Sequence, residues 1–246
     1  MVIPIYDNDP LDRNPYAFVT WTLIAISIVV FLIELGASED TEIAMLRDFA
    51  LIPAAVFGKM ELGGSWPPIF AAFTYMFLHG GWSHIIGNML FLWVLGDNIE
   101  DAMGSVRFLL FYFLCGAAGG LMHLFVYPDS TVPLVGASGA VAGVVAAYLM
   151  LRPCARILVL VFGFVPLRLG SAWVLGFWAL AQVWNVLTPG KGDTAWWAHI
   201  GGMLAGAVLV VILRRPELQL FECMRPGDAL HVRASVPPER RRWGSR

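Results

Sequence analysis

The chain has 246 residues, of which 58% are hydrophobic and only 14% charged, with a mean hydropathy of +0.70; soluble domains carry roughly 25% charge. A formal net charge of −2 and a pI near 6.2 leave no basic footprint for nucleic acid. Cys115, Cys154 and Cys223 form no CxxC pair and none falls in an outer loop of the topology below, so neither a disulfide nor a cysteine-held metal is expected.

Residues 1–17 set Asp7, Asp9 and Asp12, with Pro4 and Pro10, against a single Arg13. That composition lacks the basic start of a signal peptide and the arginine richness of a transit peptide, so a cytoplasmic segment and an uncleaved first anchor are expected. A lipid-spanning helix needs about 20 mostly apolar residues, because backbone groups cannot stay unpaired in hydrocarbon. The qualifying runs are Phe18 to Leu35, Ser83 to Ile99, Phe108 to Val126, Val135 to Leu151, Ala172 to Leu187 and Trp196 to Leu213. Residues 36–82 form a long outer loop with structure of its own, ending in Ile69 to Leu78, which reads as a half-inserted hairpin. Ile157 to Leu167 is apolar but short and holds Gly163 and Pro166, as an interfacial or re-entrant segment would. Beyond Leu213 the composition turns to Pro, Arg and Glu, and residues 214–246 read as an arginine-rich cytoplasmic tail, disordered from about Pro216 onward, whose arginines set topology and attract lipid headgroups. The expected fold is all-α: a polytopic membrane protein with a six-transmembrane-helix bundle over residues 18–213.

Charge fixes the parity. Six spans with both termini in the cytoplasm put thirteen arginines inside and only Arg47, Lys59 and Lys191 outside, as the positive-inside rule requires. Polar side chains within spans are costly, and their default reading is functional. Ser138 sits in Gly136-Ala137-Ser138-Gly139, His199 in Ala198-His199-Ile200-Gly201-Gly202, and His84 and Asn88 lie four apart on one face of the second span, with His79 just before it. The second, fourth and sixth spans all run from outside to inside, so these residues share one depth, roughly 5 Å below the start of each span. Gly139 and Gly143 in the fourth span and Gly202 and Gly206 in the sixth let the two backbones approach. A serine beside a neutral histidine is the arrangement of nucleophilic catalysis. The Asn88 amide, the His84 ring and the Ser138 backbone N–H are the available donors for an oxyanion.

On these three motifs, His79-Gly80-Gly81-Trp82-Ser83-His84-Ile85-Ile86-Gly87-Asn88, Gly136-Ala137-Ser138-Gly139, and Ala198-His199-Ile200-Gly201-Gly202 with Gly206, the sequence resembles the rhomboid family of intramembrane serine proteases over roughly Asn14 to Leu213. The resemblance implies Ser138 as nucleophile, His199 as general base, and His84 with Asn88 as oxyanion stabilisers. His79, Gly136, Gly139, Gly202 and Gly206 are then structural positions near the site. It implies a dyad that needs neither Asp193 nor a cofactor. The implied substrates are transmembrane segments of other membrane proteins, entering near the fifth span, and the expected location is a bacterial plasma membrane. One departure matters for the site. The position one turn after the serine, aromatic in some members, is Ala142 here, so the orientation of the histidine ring must come from elsewhere.

Blander readings compete. A serine in a span is more often a small contact residue, and Asn88 alone is helix glue. A zinc site on His79, His84 and His199 is disfavoured, because the spacing differs from HExxH and brings no glutamate base. Trp21, Trp66, Trp82, Trp173, Trp196 and Trp197 read as interfacial belt residues. A catalytically silent relative that binds client helices is the alternative function, and intact Ser138 and His199 argue against it. A transporter would place its polar groups at the midplane rather than at one end of the helices.

Overall fold

The apolar runs fold as helices with nearly the expected limits. The structure, a computed structural model, describes residues 2–9, 11, 13, 14, 16–64, 66–188 and 195–223; Lys191, Asp193, His231 and the tail arginines from Arg225 onward lie outside these. Helix α1 spans Phe18–Gly36, α5 Trp82–Met103, α6 Ser105–Val126, α7 Ser138–Leu151, α8 Ser171–Leu187 and α9 Trp196–Leu213. By length and composition α1, α6 and α9 are able to cross a membrane, while α7 and α8 are shorter apolar helices. Helix α5 is long enough at 22 residues, but His84, Asn88, Asp97, Asn98, Glu100 and Asp101 lower its hydropathy.

The long loop holds α2 (Glu39–Phe49) and α3 (Pro53–Val56), followed by a helical run in which α4 (Ala71–Thr74) is flanked by the 3-10 turns Pro68–Phe70 and Tyr75–Phe77. The expected hairpin at Ile69 to Leu78 is thus one short helix. It is pinned by buried Tyr75, whose hydroxyl donates to Gly116 O at 2.7 Å.

The all-α expectation needs correction. Strands β1 (Val2–Asp7), β2 (Arg156–Val161) and β3 (Val165–Gly170) form an antiparallel sheet in the order β1-β2-β3. The segment expected to be interfacial or re-entrant is the β2-β3 hairpin, turning at Phe162 and Gly163 with positive φ. Its alternating pattern buries Ile157 and Val159 against the core, and a β-branched run around a glycine turn suits a hairpin better than a helix.

Side chains of the N-terminal segment tie this sheet to the helices. Asp7 Oδ2 accepts from the Tyr148 hydroxyl at 2.6 Å and from Asn98 Nδ2 at 2.7 Å, and Asp9 pairs with Arg152 at 2.6 Å. Burial lifts the Asp7 carboxyl from the ordinary 3.8 to about 7, with the Tyr148 hydrogen bond opposing the rise and Asp97 adding to it. Helix α1 has no cap from its own Ala17; fully buried Glu100 supplies it from α5, accepting from Val19 N, Thr20 N and Thr20 Oγ1.

The chain past α9 also departs from expectation. Arg215 N donates to Ala102 O, Phe221 N donates to Met150 O, and Leu218 and Leu220 pack on the core. This return places Cys223 beside Cys154, Cα to Cα 5.2 Å, and the two form a disulfide, contrary to the reading from spacing alone. Folding back, rather than sequence proximity, brings them together. Residues 215–223 thus contact the rest of the fold at Arg215, Leu218, Leu220, Phe221 and Cys223.

Candidate active site

The site is built by close packing of backbones. A Cβ at Gly202 would fall 1.9 Å from Gly139 O, and one at Gly206 would fall 2.4 Å from Gly143 O, so α7 and α9 touch main chain to main chain at two successive turns. Helix α6 joins them, since a Cβ at Gly119 would lie 2.6 Å from Ala198 O. Between helices the lipid tails are as apolar as any side chain, so this close approach is what favours association.

Ser138 opens α7 and His199 lies in the first turn of α9, with His84 and Asn88 in the first two turns of α5. All four line one cavity of about 570 Å³, walled also by Phe91, Val132 to Val135, Val141, Trp178 and Ala195. The N-terminal ends of α5, α7 and α9 therefore meet at one end of the bundle. Gly136 makes this possible. Its φ is +109°, which favours glycine, its N–H donates to Tyr75 O at 2.9 Å, and a Cβ there would lie 2.4 Å from His84 Nε2 and 3.5 Å from Asn88 Nδ2. The chain thus crosses directly over the polar face of α5 before Ser138.

The donors are set as follows. Gly80 N–H donates to His84 Nδ1 at 3.4 Å, which leaves the proton of a neutral ring on Nε2, the atom beside Gly136. Buried Asn88 Nδ2 has no hydrogen-bond partner among the described residues. Ser138 is the first residue of α7, where backbone N–H groups lack intrahelical acceptors and the helix dipole is positive. His79 is buried just outside the cavity, its N–H donating to Glu34 Oε2 and its Nδ1 3.1 Å from Phe77 O, with its ring edge-on to His84 at 5.3 Å.

His199 is held by residues that the sequence did not assign to the site. Its Nδ1 lies 2.8 Å from Gln182 Oε1 on α8; Trp178 stacks on the ring at 6.1 Å, and Trp196, read as a belt residue, meets it edge-on at 5.8 Å. Aromatic support thus comes from α8 and from the start of α9 rather than from the α7 position held by buried Ala142. The signal was present: Gln182 is a polar residue within an apolar helix. Among the described residues no hydrogen bond joins the Ser138 hydroxyl to the His199 ring.

These features define a mostly helical membrane domain with a polar cavity at one end. The family model of the Rhomboid domain matches residues 68–216, more than half of the chain, which belongs to the rhomboid family. It is similar to the mitochondrial Rhomboid protein 1 of Saccharomyces cerevisiae, 36% identical over 141 residues covering 54% of this chain and 38% of that protein. Rhomboid protease GluP of Bacillus subtilis is 30% identical over 214 residues, 82% of this chain and 36% of that protein. Rhomboid-like protease 3 of Toxoplasma gondii is 29% identical over 158 residues, 61% of this chain and 56% of that protein. The chain spans little more than a third of the length of the first two relatives and about half of the third.

Proposed function

We propose that this chain is an intramembrane serine endopeptidase that cuts transmembrane segments of other membrane proteins through a Ser138/His199 dyad. The observation that carries the reading is the convergence of Ser138, His199, His84 and Asn88 on one cavity, together with named proteases among the relatives. His199 Nε2 takes the Ser138 proton as Oγ attacks the scissile carbonyl, then returns it to the leaving amine. His84 Nε2–H, Asn88 Nδ2 and the Ser138 N–H stabilise the oxyanion. A serine and histidine not yet bonded at rest fit this role, since such bonds tighten when substrate binds. His79, Gly136, Gly139, Gly202 and Gly206 shape and support the site. In this reading α1, α5, α6, α7, α8 and α9 are six spans, both termini are cytoplasmic, and the membrane is a bacterial plasma membrane.

The test is incubation of detergent-purified protein with a tagged membrane protein whose span is helix-destabilised. Wild type is expected to cleave it, and Ser138→Ala and His199→Ala to lose on the order of 10³-fold or more of the rate. Cleavage surviving in either variant removes the dyad, and loss of cleavage on chelation revives a metal site. Labelling a cysteine introduced in the tail from each side of the membrane tests the topology.

A further inference from the structure

A catalytic histidine must present a lone pair, not a hydrogen, to its serine, so something has to decide which ring nitrogen carries the proton. The polar group that meets the His199 ring here is Gln182. It is 4% exposed, and its amide makes two hydrogen bonds, with Nε2 2.9 Å from Trp178 O and Oε1 2.8 Å from His199 Nδ1. A backbone carbonyl only accepts, so the NH₂ end of the amide must be the end facing Trp178. Oε1 therefore faces the ring. An amide oxygen also only accepts, so Nδ1 carries the hydrogen and the lone pair of the neutral ring is left at Nε2.

Resting on the reading of Ser138 and His199 as nucleophile and base, we infer that Gln182 is a positioning residue that holds His199 as the Nδ1–H tautomer with Nε2 free to take the serine proton. It is a neutral third member, occupying the place that a carboxylate holds in the serine triads of other folds. When the Ser138 O–H bond breaks and the proton moves to Nε2, the imidazolium keeps its Nδ1–H bond to Gln182 and no proton passes to the amide. A neutral acceptor also avoids burying an uncompensated charge in the bundle. Trp178 and Trp196 confine the ring from two sides, so the amide bond and the aromatic walls together set its orientation. Among the described residues lining the cavity, His84 on α5 is the other titratable ring, and none is a carboxylate.

The experiment compares full-length wild type, Gln182→Leu, Gln182→Glu and Ser138→Ala in the cleavage assay, with thermal unfolding as a folding control. Leucine fills similar space without an acceptor. It is expected to lower kcat by about 10- to 100-fold, by analogy with losing the hydrogen-bond partner that orients a metal-bound histidine, with KM nearly unchanged. Glutamate restores most of the rate near neutral pH. It also moves the acid limb of the kcat/KM profile to higher pH, because a carboxylate at Nδ1 favours the imidazolium. Nitrogen NMR of histidine-labelled protein should show Nδ1 protonated in wild type and a tautomer mixture in Gln182→Leu. Full kcat in Gln182→Leu while Ser138→Ala is inactive overturns the inference and leaves the dyad standing. Equal losses in the Leu and Glu variants, with an unmoved pH profile, overturn it as well by making Gln182 merely structural. If wild type cleaves nothing or cleaves without Ser138, the protease reading fails, and an Nε2-protonated ring in the spectrum then removes the tautomer claim independently.

Discussion

The two helices flanking His199 are attached in opposite ways. Helix α7 meets α9 with no room for a methyl group at Gly202 or Gly206, whereas α8 buries only Ser171, Leu175 and Gln182 and turns Trp173, Phe177 and Leu187 outward. No atom lies within 4 Å of where a Cβ on Gly176 of α8 would stand. The backbone positions of Ser138 and His199 are thus fixed by steric contact between their helices. The His199 ring instead meets α8 through one hydrogen bond to Gln182 and the face of Trp178.

The largest expected effect sets glycine against glycine. Gly202→Ala drives its methyl into Gly139 O and is expected to cost more than about 4 kcal/mol, read as loss of folded protein in size-exclusion chromatography and thermal unfolding. Next, Glu100→Ala carries the comparison to the far end of the core. Stripping the α1 cap leaves the Val19 and Thr20 amides unpaired, at about 2 to 3 kcal/mol, and an unchanged unfolding temperature would mean that this end is held otherwise.

Asp7 gives a smaller, pH-dependent term. The folded chain holds its proton more tightly than the unfolded chain, so this stabilisation is complete below about pH 4 and is lost as pH rises toward 7, levelling off beyond. Asp7→Asn should flatten that fall in unfolding temperature, and an identical slope in both proteins counts against it. The smallest effect is Gly176→Ala on α8, expected to stabilise by roughly 0.5 to 1 kcal/mol through helix propensity. If it destabilises as much as Gly202→Ala, the contrast between the two helices is wrong.

The helices were legible because membrane insertion writes its requirement into composition. Trp196–Leu213 matches its expected run at both ends, and Phe18–Gly36 differs from its run by one residue. The cavity residues were legible because polar groups in apolar helices stand out, and the common direction of the second, fourth and sixth expected spans puts Ser138, His199, His84 and Asn88 at one depth. Gln182 carried the same signal. It was missed because its partner lies on another helix and no motif surrounds it.

The sequence by itself determined where the long helices run and which polar residues share a depth, since both follow from hydropathy and a fixed rise per residue. Only the tertiary structure decided that residues 2–7 pair with residues 157–161, that Cys154 meets Cys223, and that Gln182 faces His199. Each of these joins segments whose pairing depends on how the chain returns on itself, and composition and periodicity describe one segment at a time.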